Sequence, residues 1–292
     1  MIFNSPVYPI PPSFINDELE LNSTHKYLNY LSEKGAKTIM STAGTSQFNL
    51  LTSTEVDLFN NALLNFKGKK IIGLPAISFY ELKQKIRGLN YKNLKDVYLL
   101  ILFPERYYND EQIIKFFEEV CNESIYPILA HGNTMRKGMG GEYSYSFNLL
   151  KKLSKIKNFI GIKEESPSID FDQKNLKELD LEIIVAGGSM KRFWSLEPFG
   201  ATTYLTGVGS FNPTIEENFY NEYTNGSLKM AKEIIKTFET PLFRTFMKVG
   251  WHASMREALK NMGFILDNRK PFIILSDDNK EIIKQSLEKL LQ

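Results

Sequence analysis

Val97-Tyr98-Leu99-Leu100-Ile101-Leu102-Phe103 decides how the rest of the chain is read. The run is too short for a membrane helix, which needs about 20 apolar residues. It is apolar throughout, with no alternation, as a strand is when a parallel sheet buries both its faces. The same texture recurs on either side. Val7 to Ile10, Thr38 to Thr42 and Lys70 to Pro75 precede it, and Tyr126 to Ala130, Phe159 to Glu164, Ile183 to Ala186 and Thr203 to Val208 follow it. Segments of helical period lie between. One runs through Leu28 and Leu31 to a stop at Gly35; another opens at the capping box Thr52-x-x-Glu55, whose threonine oxygen accepts from the backbone three residues on. Further helices are expected over Glu81 to Leu89, Glu111 to Val120, Phe147 to Ile156 and Leu176 to Leu179.

Strands and helices alternating over short connections make parallel βαβ units. Eight such strands within about 210 residues predict an α/β fold, a (β/α)8 TIM barrel. The barrel core is expected over residues 1–212 and a C-terminal helical extension over 213–292, its helices broken near Pro241 and again near Asn268 to Pro271.

Composition narrows the function classes. The 292 residues carry 36 Lys+Arg against 34 Asp+Glu, a net charge of +2, which gives no electrostatic footprint for nucleic acid or an anionic membrane. The one cysteine, Cys121, excludes an internal disulfide. With three histidines besides, a His- or Cys-rich metal site is not expected, while a carboxylate-only magnesium site stays open. Met1 to Pro12 has neither a basic start nor an apolar stretch, so the chain is read as cytoplasmic.

In a barrel of this kind chemistry gathers where strands end and loops begin. Lys163, in Gly161-Ile162-Lys163-Glu164-Glu165, stands at the end of the sixth strand. Apolar surroundings favour its neutral amine, which can attack a ketone and form a Schiff base. The plainer alternative is a strand-end lysine paired with Glu164 or Glu165. Gly44-Thr45-Ser46 offers backbone N–H groups and two hydroxyls to a small anion, or is simply a polar turn. His131, after the fifth strand, can relay protons, and Arg136 can hold a carboxylate in its fork; the alternatives are a backbone-bonded histidine and a solvated arginine. His25 and His252 are read as structural.

Together these residues resemble the N-acetylneuraminate lyase and dihydrodipicolinate synthase family of class I aldolases, roughly from Pro6 to Gly263. The resemblance is carried by Ala43-Gly44-Thr45-Ser46-Gln47-Phe48 with Leu51-Thr52-x-x-Glu55, by Tyr126-Pro127-Ile128-Leu129 and above all by Gly161-Ile162-Lys163-Glu164. Pro104 before Tyr107-Tyr108, Ala186-Gly187-Gly188 and Gly209-Ser210-Phe211-Asn212-Pro213 support it. It implies a barrel with a helical extension, a homodimer or homotetramer, a 2-oxo acid such as pyruvate as small-molecule substrate, and no metal or organic cofactor. It also implies roles: Lys163 as the Schiff-base lysine, and Thr45, flanked by Gly44 and Ser46, at the substrate carboxylate. Arg136 would meet the second substrate, the Leu205 carbonyl would line the site, and Tyr107 and Tyr108 would make acceptor or interface contacts.

The sequence departs from the family pattern in two places. The usual Gly-(Thr/Ser)-Thr-Gly-Glu loop is here Ala43-Gly44-Thr45-Ser46-Gln47, closer through Gly44, Thr45 and Phe48 to the keto-deoxyglucarate dehydratases. The tyrosine of Tyr-Asn-x-Pro is here His131, which would take over acid–base duty. Three readings follow: an aldolase or lyase using Lys163 on a 2-oxo acid, a hydro-lyase of a keto-deoxy sugar acid through the same imine, or a barrel that binds a metabolite without turning it over.

Overall fold

The computed structural model describes residues 1–75, 78–102, 109–132, 145–165, 176–271 and 275–291. In chain order the elements are β1 (Val7–Pro9), β2 (Ser13–Ile15), β3 (Glu18–Glu20), α1 (Asn22–Glu33), β4 (Thr38–Met40), α2 (Ser53–Leu63), β5 (Lys69–Leu74), α3 (Phe79–Asn90), β6 (Val97–Leu102), α4 (Asp110–Glu123) and β7 (Ile128–Gly132). There follow α5 (Phe147–Leu153), β8 (Phe159–Glu164), β9 (Glu182–Val185), α6 (Ser189–Leu196), β10 (Thr203–Tyr204), α7 (Pro213–Thr224), α8 (Leu228–Ile234), α9 (Thr240–Val249), α10 (Trp251–Asn261) and α11 (Asp277–Leu291). Eight strands form one sheet in the order β1-β4-β5-β6-β7-β8-β9-β10, and β2 pairs with β3 in a separate hairpin. This is the (β/α)8 barrel class, with α7 to α11 as the helical extension. Each apolar run of the sequence yields one sheet strand, because strands covered on both faces need apolar side chains at every position.

By packing, the chain divides into two compact units. The first holds residues 1–4 and 69–205. Its strands run parallel, with Leu102 opposite His131, His131 opposite Lys163, and Lys163 opposite Ile184. β6 is buried except for a half-buried Tyr98, whose ring meets Phe3 edge-on at 4.9 Å. The chain start is tied to the same sheet by the Ile2 N–H, which donates to the Glu182 carboxylate. Gly161 in β8 is required by close approach: a β-carbon there would lie 2.0 Å from the Glu182 carbonyl oxygen.

The second unit holds residues 5–68 and 206–292. The expected capping box is formed: Thr52 Oγ1 accepts from the Glu55 N–H at 3.2 Å, and Glu55 accepts from the Thr52 N–H at 2.8 Å. Arg269 then grips the Glu55 carboxylate in a fork at 2.5 and 2.8 Å. That bond, against a smaller opposing effect of burial, pulls the Glu55 carboxyl down to about 2. The fully buried Arg256 donates to the Pro12 and Asp267 carbonyls and to Asn268. Tyr27 and Tyr30 donate to the Ser210 and Phe211 carbonyls at 2.8 and 2.6 Å.

Two expectations are corrected. Leu176 to Leu179 is a single 3-10 turn, Leu176–Glu178, rather than a helix, because four residues cannot complete an α-helical turn's bonding. Pro241 breaks nothing: α8 passes through a wide π-type segment, Ile235–Glu239, into α9, and the proline is the second residue of α9, directly after the change in hydrogen-bonding pattern. The break comes instead at Gly250, whose φ of +117° suits glycine. The β2–β3 hairpin and α6 had no counterpart in the expected elements. The break near Asn268 to Pro271 is present, α10 ending at Asn261 and α11 starting at Asp277.

Candidate active site

In parallel strands, residues in register point to the same side, and residues two apart on one strand do so as well. His131 on β7 is in register with Lys163 on β8, and Glu165 stands two residues beyond Lys163. The three side chains therefore converge at the C-terminal ends of neighbouring strands. Lys163 Nζ lies 2.7 Å from Glu165 Oε2 and 2.8 Å from His131 Nε2, and the latter two atoms are 3.4 Å apart. Lys163 is 2% exposed and His131 3%, while the Glu165 side chain keeps 20% of its surface.

An ammonium withdrawn from water this far needs a partner. Glu165 supplies it. Burial alone would raise the Glu165 carboxyl, but the Lys163 charge and the hydrogen bonds from His131 and Lys163 outweigh it and hold the group well below the usual carboxylate range. His131 moves the opposite way from a solvated histidine: burial first, then the Lys163 charge, bring it down to about 4 against the pull of Glu165. At neutral pH the imidazole is uncharged, with Nε2 facing the amine. Its Nδ1 has no hydrogen-bond partner among the described residues, so the ring is oriented through Nε2. The arrangement holds one amine nitrogen within hydrogen-bond distance of a carboxylate and an imidazole.

β8 and β9 continue together past their last paired residues: the Ala186 N–H donates to the Glu164 carbonyl at 2.8 Å. Gly187 follows with φ +80°. The Leu205 N–H donates to the Val185 carbonyl at 2.8 Å.

The loop after β4 belongs to the second unit. Ser46 is spent on its own loop. Its hydroxyl donates to the Ile10 carbonyl at 2.7 Å and accepts the Thr42 N–H, and its N–H donates to the Thr42 carbonyl. Thr45 is 5% exposed, and neither its N–H nor its hydroxyl has a partner among the described residues. The His252 ring on α10 packs over Gly44, within 3.3 Å of where a β-carbon would stand.

The structure thus brings Lys163 and His131 together and adds Glu165, which the sequence reading weighed only as a structural partner. Its signal was the strand period, since position 165 shares a face with 163. His252, read as structural, stands over Gly44, its ring 3.3 Å from where a β-carbon there would lie. Arg136, Tyr107 and Tyr108 lie outside the described residues.

A model described as the dihydrodipicolinate synthetase family matches residues 107–290. The chain is 22% identical to a probable 5-dehydro-4-deoxyglucarate dehydratase of Acinetobacter baumannii, over 86% of this chain and 82% of the relative. It is also 22% identical to a 4-hydroxy-tetrahydrodipicolinate synthase of Thermotoga petrophila, over 94% of each. Among solved structures, a dihydrodipicolinate synthase of Thermotoga maritima superposes with a TM-score of 0.84 at 20% identity, covering 99% of both chains. A prophage protein of Escherichia coli K12 in complex with pyruvate does so at 0.85 and 16%, covering 100% of this chain and 99% of that one.

Proposed function

Since the chain belongs to the dihydrodipicolinate synthetase family, a family of class I lyases and related enzymes, we propose that it forms a Schiff base between Lys163 and a 2-oxo acid such as pyruvate. The observation that carries this reading is the Lys163 amine, buried and held between His131 and Glu165. An ammonium is no nucleophile, so a proton must leave first. Glu165 Oε2 and His131 Nε2 are both within hydrogen-bond distance of Nζ to receive it. The free amine adds to the ketone carbon, the carbonyl oxygen leaves as water, and the resulting iminium keeps its charge beside the Glu165 carboxylate. A proton lost from C3 to His131 gives the enamine. His131 occupies the register position beside the lysine, and it replaces the family's tyrosine as the acid–base group.

The family resemblance puts the substrate carboxylate at the loop of Gly44 and Thr45. What supports this is the pair of unpartnered donors on Thr45, since buried polar groups ordinarily find partners. Ser46 is a support of the loop, its proton being committed to Ile10. The enamine can go on to carbon–carbon bond formation or cleavage, or it can expel a hydroxyl as water. The second outcome, a hydro-lyase, is favoured by the Gly44-Thr45-x-x-Phe48 pattern and by the dehydratase name of the Acinetobacter relative.

Enamine formation is tested directly by proton exchange. Pyruvate incubated in D2O should lose its methyl proton signal in the presence of the protein and keep it with Lys163→Met. If pyruvate, 2-oxobutanoate and 2-oxoglutarate all keep their C3 proton signals with folded wild-type protein, the proposal fails.

A further inference from the structure

Thr42 stands two residues past the end of β4 and carries a hydroxyl that the chemistry described so far does not use. Its neighbour Ser41 donates its own hydroxyl to Asn60 on α2 at 2.8 Å, so Ser41 faces the helix layer. Side chains alternate along a strand, which turns Thr42 the other way, onto the face shared by Thr38 and Met40 and away from α2. Both backbone groups of Thr42 are taken: its N–H donates to the Ser46 hydroxyl at 3.0 Å, and its carbonyl accepts the Ser46 N–H at 3.0 Å. The side chain is not. Thr42 is 1% exposed, and its hydroxyl has no hydrogen-bond partner among the described residues. A hydroxyl withdrawn from water gives up its bonds there, and leaving it unpaired is costly. A ligand that supplies the partner removes that cost. Thr45, whose N–H and hydroxyl are also unpartnered, belongs to the same turn, which Ser46 closes on Thr42 and ties to the Ile10 carbonyl. Gly44 brings no hydroxyl to this turn, and Thr42 does.

We propose that Thr42 is a substrate-binding residue whose hydroxyl donates to the carboxylate of the 2-oxo acid alongside Thr45. The proposal rests on the Schiff-base reading above and adds to it a contact from the strand end rather than from the loop tip. An ionised carboxylate only accepts, so a hydroxyl that meets it donates. Thr42 then holds the acid without touching the bond-making atoms. In the free protein the same hydroxyl is a burden on stability, and with substrate bound it is satisfied.

The test compares wild type, Thr42→Val and Thr42→Ser by two readouts: the pyruvate concentration that half-saturates borohydride trapping on Lys163, and the melting temperature without pyruvate. Valine keeps the shape and removes the hydroxyl; serine keeps the hydroxyl and removes the methyl. Loss of one hydrogen bond to a charged group predicts that Thr42→Val raises the half-saturating concentration about tenfold. The same variant should melt at or above the wild-type temperature, because it removes a buried hydroxyl that has no partner in the free protein. Thr42→Ser should half-saturate within about threefold of wild type while melting lower, having lost a buried methyl. A threonine that only supports the fold would not move the two readouts in opposite directions. The proposal is overturned if Thr42→Val is half-saturated at the wild-type concentration, or if Thr42→Ser weakens trapping as much as Thr42→Val, which would make the methyl the group that matters. It is equally overturned if Thr42→Val melts below wild type and Thr42→Ser does not, which would give the hydroxyl a partner within the protein. Failure of folded wild type to be trapped by any 2-oxo acid would remove the Schiff-base reading itself and this contact with it, a result distinct from the others.

Discussion

Replacing Glu165 with glutamine keeps the side chain's shape and removes its charge, leaving the Lys163 ammonium without a counter-ion. At the 2.7 Å separation of Nζ and Oε2, two unit charges attract by about 6 kcal/mol at an effective dielectric constant of roughly 20. Part of that is returned by solvation, because the Glu165 side chain is 20% exposed. Removing one member of a buried pair costs about 3–5 kcal/mol, and the residual exposure favours the lower end. At about 2–4 °C per kcal/mol for a chain near this size, Glu165→Gln should lower the apparent Tm by roughly 6–12 °C at pH 7. The double variant Lys163→Met/Glu165→Gln strands no charge and should melt within about 3 °C of wild type. The pH dependence has a definite sign. The Glu165 carboxyl is depressed in the folded state, so its contribution is complete above the unfolded value near 4.5 and is lost as the pH falls below it. Scanning fluorimetry from pH 3 to 8 should show the gap between wild type and Glu165→Gln full at pH 7 and closing below about pH 4. A single variant melting within about 2 °C of wild type at pH 7, or a double variant falling as far as both singles together, would refute the reasoning.

Other outcomes follow from the same structure. With His131 brought down to about 4, the acid limb of kcat/KM for the free enzyme should lie near pH 4 rather than 6.5, and a limb at 6.5 would show that His131 is not the buried neutral base described. Gly161→Ala would drive a methyl into the Glu182 carbonyl, so it should cost about 3 kcal/mol or prevent folding; a stable, active variant would contradict the close approach of β8 and β9. Arg269→Met frees Glu55, held at about 2, and should cost roughly 1–3 kcal/mol above pH 5 in chemical denaturation, with little difference from wild type near pH 2. Thr45→Val should raise the half-saturating concentration of pyruvate about tenfold while Ser46→Ala mainly lowers stability, and the reverse pattern would exchange their roles.

Much of the barrel was legible because a strand buried on both faces leaves a mark that needs no context: Val97 to Leu102 and Phe159 to Ile162 carry no charged residue. The capping box at Thr52 was equally local, since all its atoms lie within four residues. Lys163 stood out by contrast, a lysine at the end of such a run. What stayed hidden depends on register and reach. That His131 would face Lys163 required knowing the offset between β7 and β8, which no spacing within one strand reveals. Glu165 was in view as an alternative partner, but its nearness to both groups appears only when Nζ is seen between it and the histidine. α6, a helix of eight residues, is too short to announce itself by periodicity. Pro241 misled for the opposite reason: a local rule for breaking helices was met by a local change of hydrogen-bonding pattern at Ile235–Glu239.

The central claim is that Lys163 is the nucleophile. Pyruvate and the protein treated with borohydride, digested and mapped by peptide mass spectrometry, test it most directly. The account predicts a reduced adduct on the peptide carrying Lys163, absent from Lys163→Met. An adduct on a different lysine, or none with any of the 2-oxo acids named above, would contradict it.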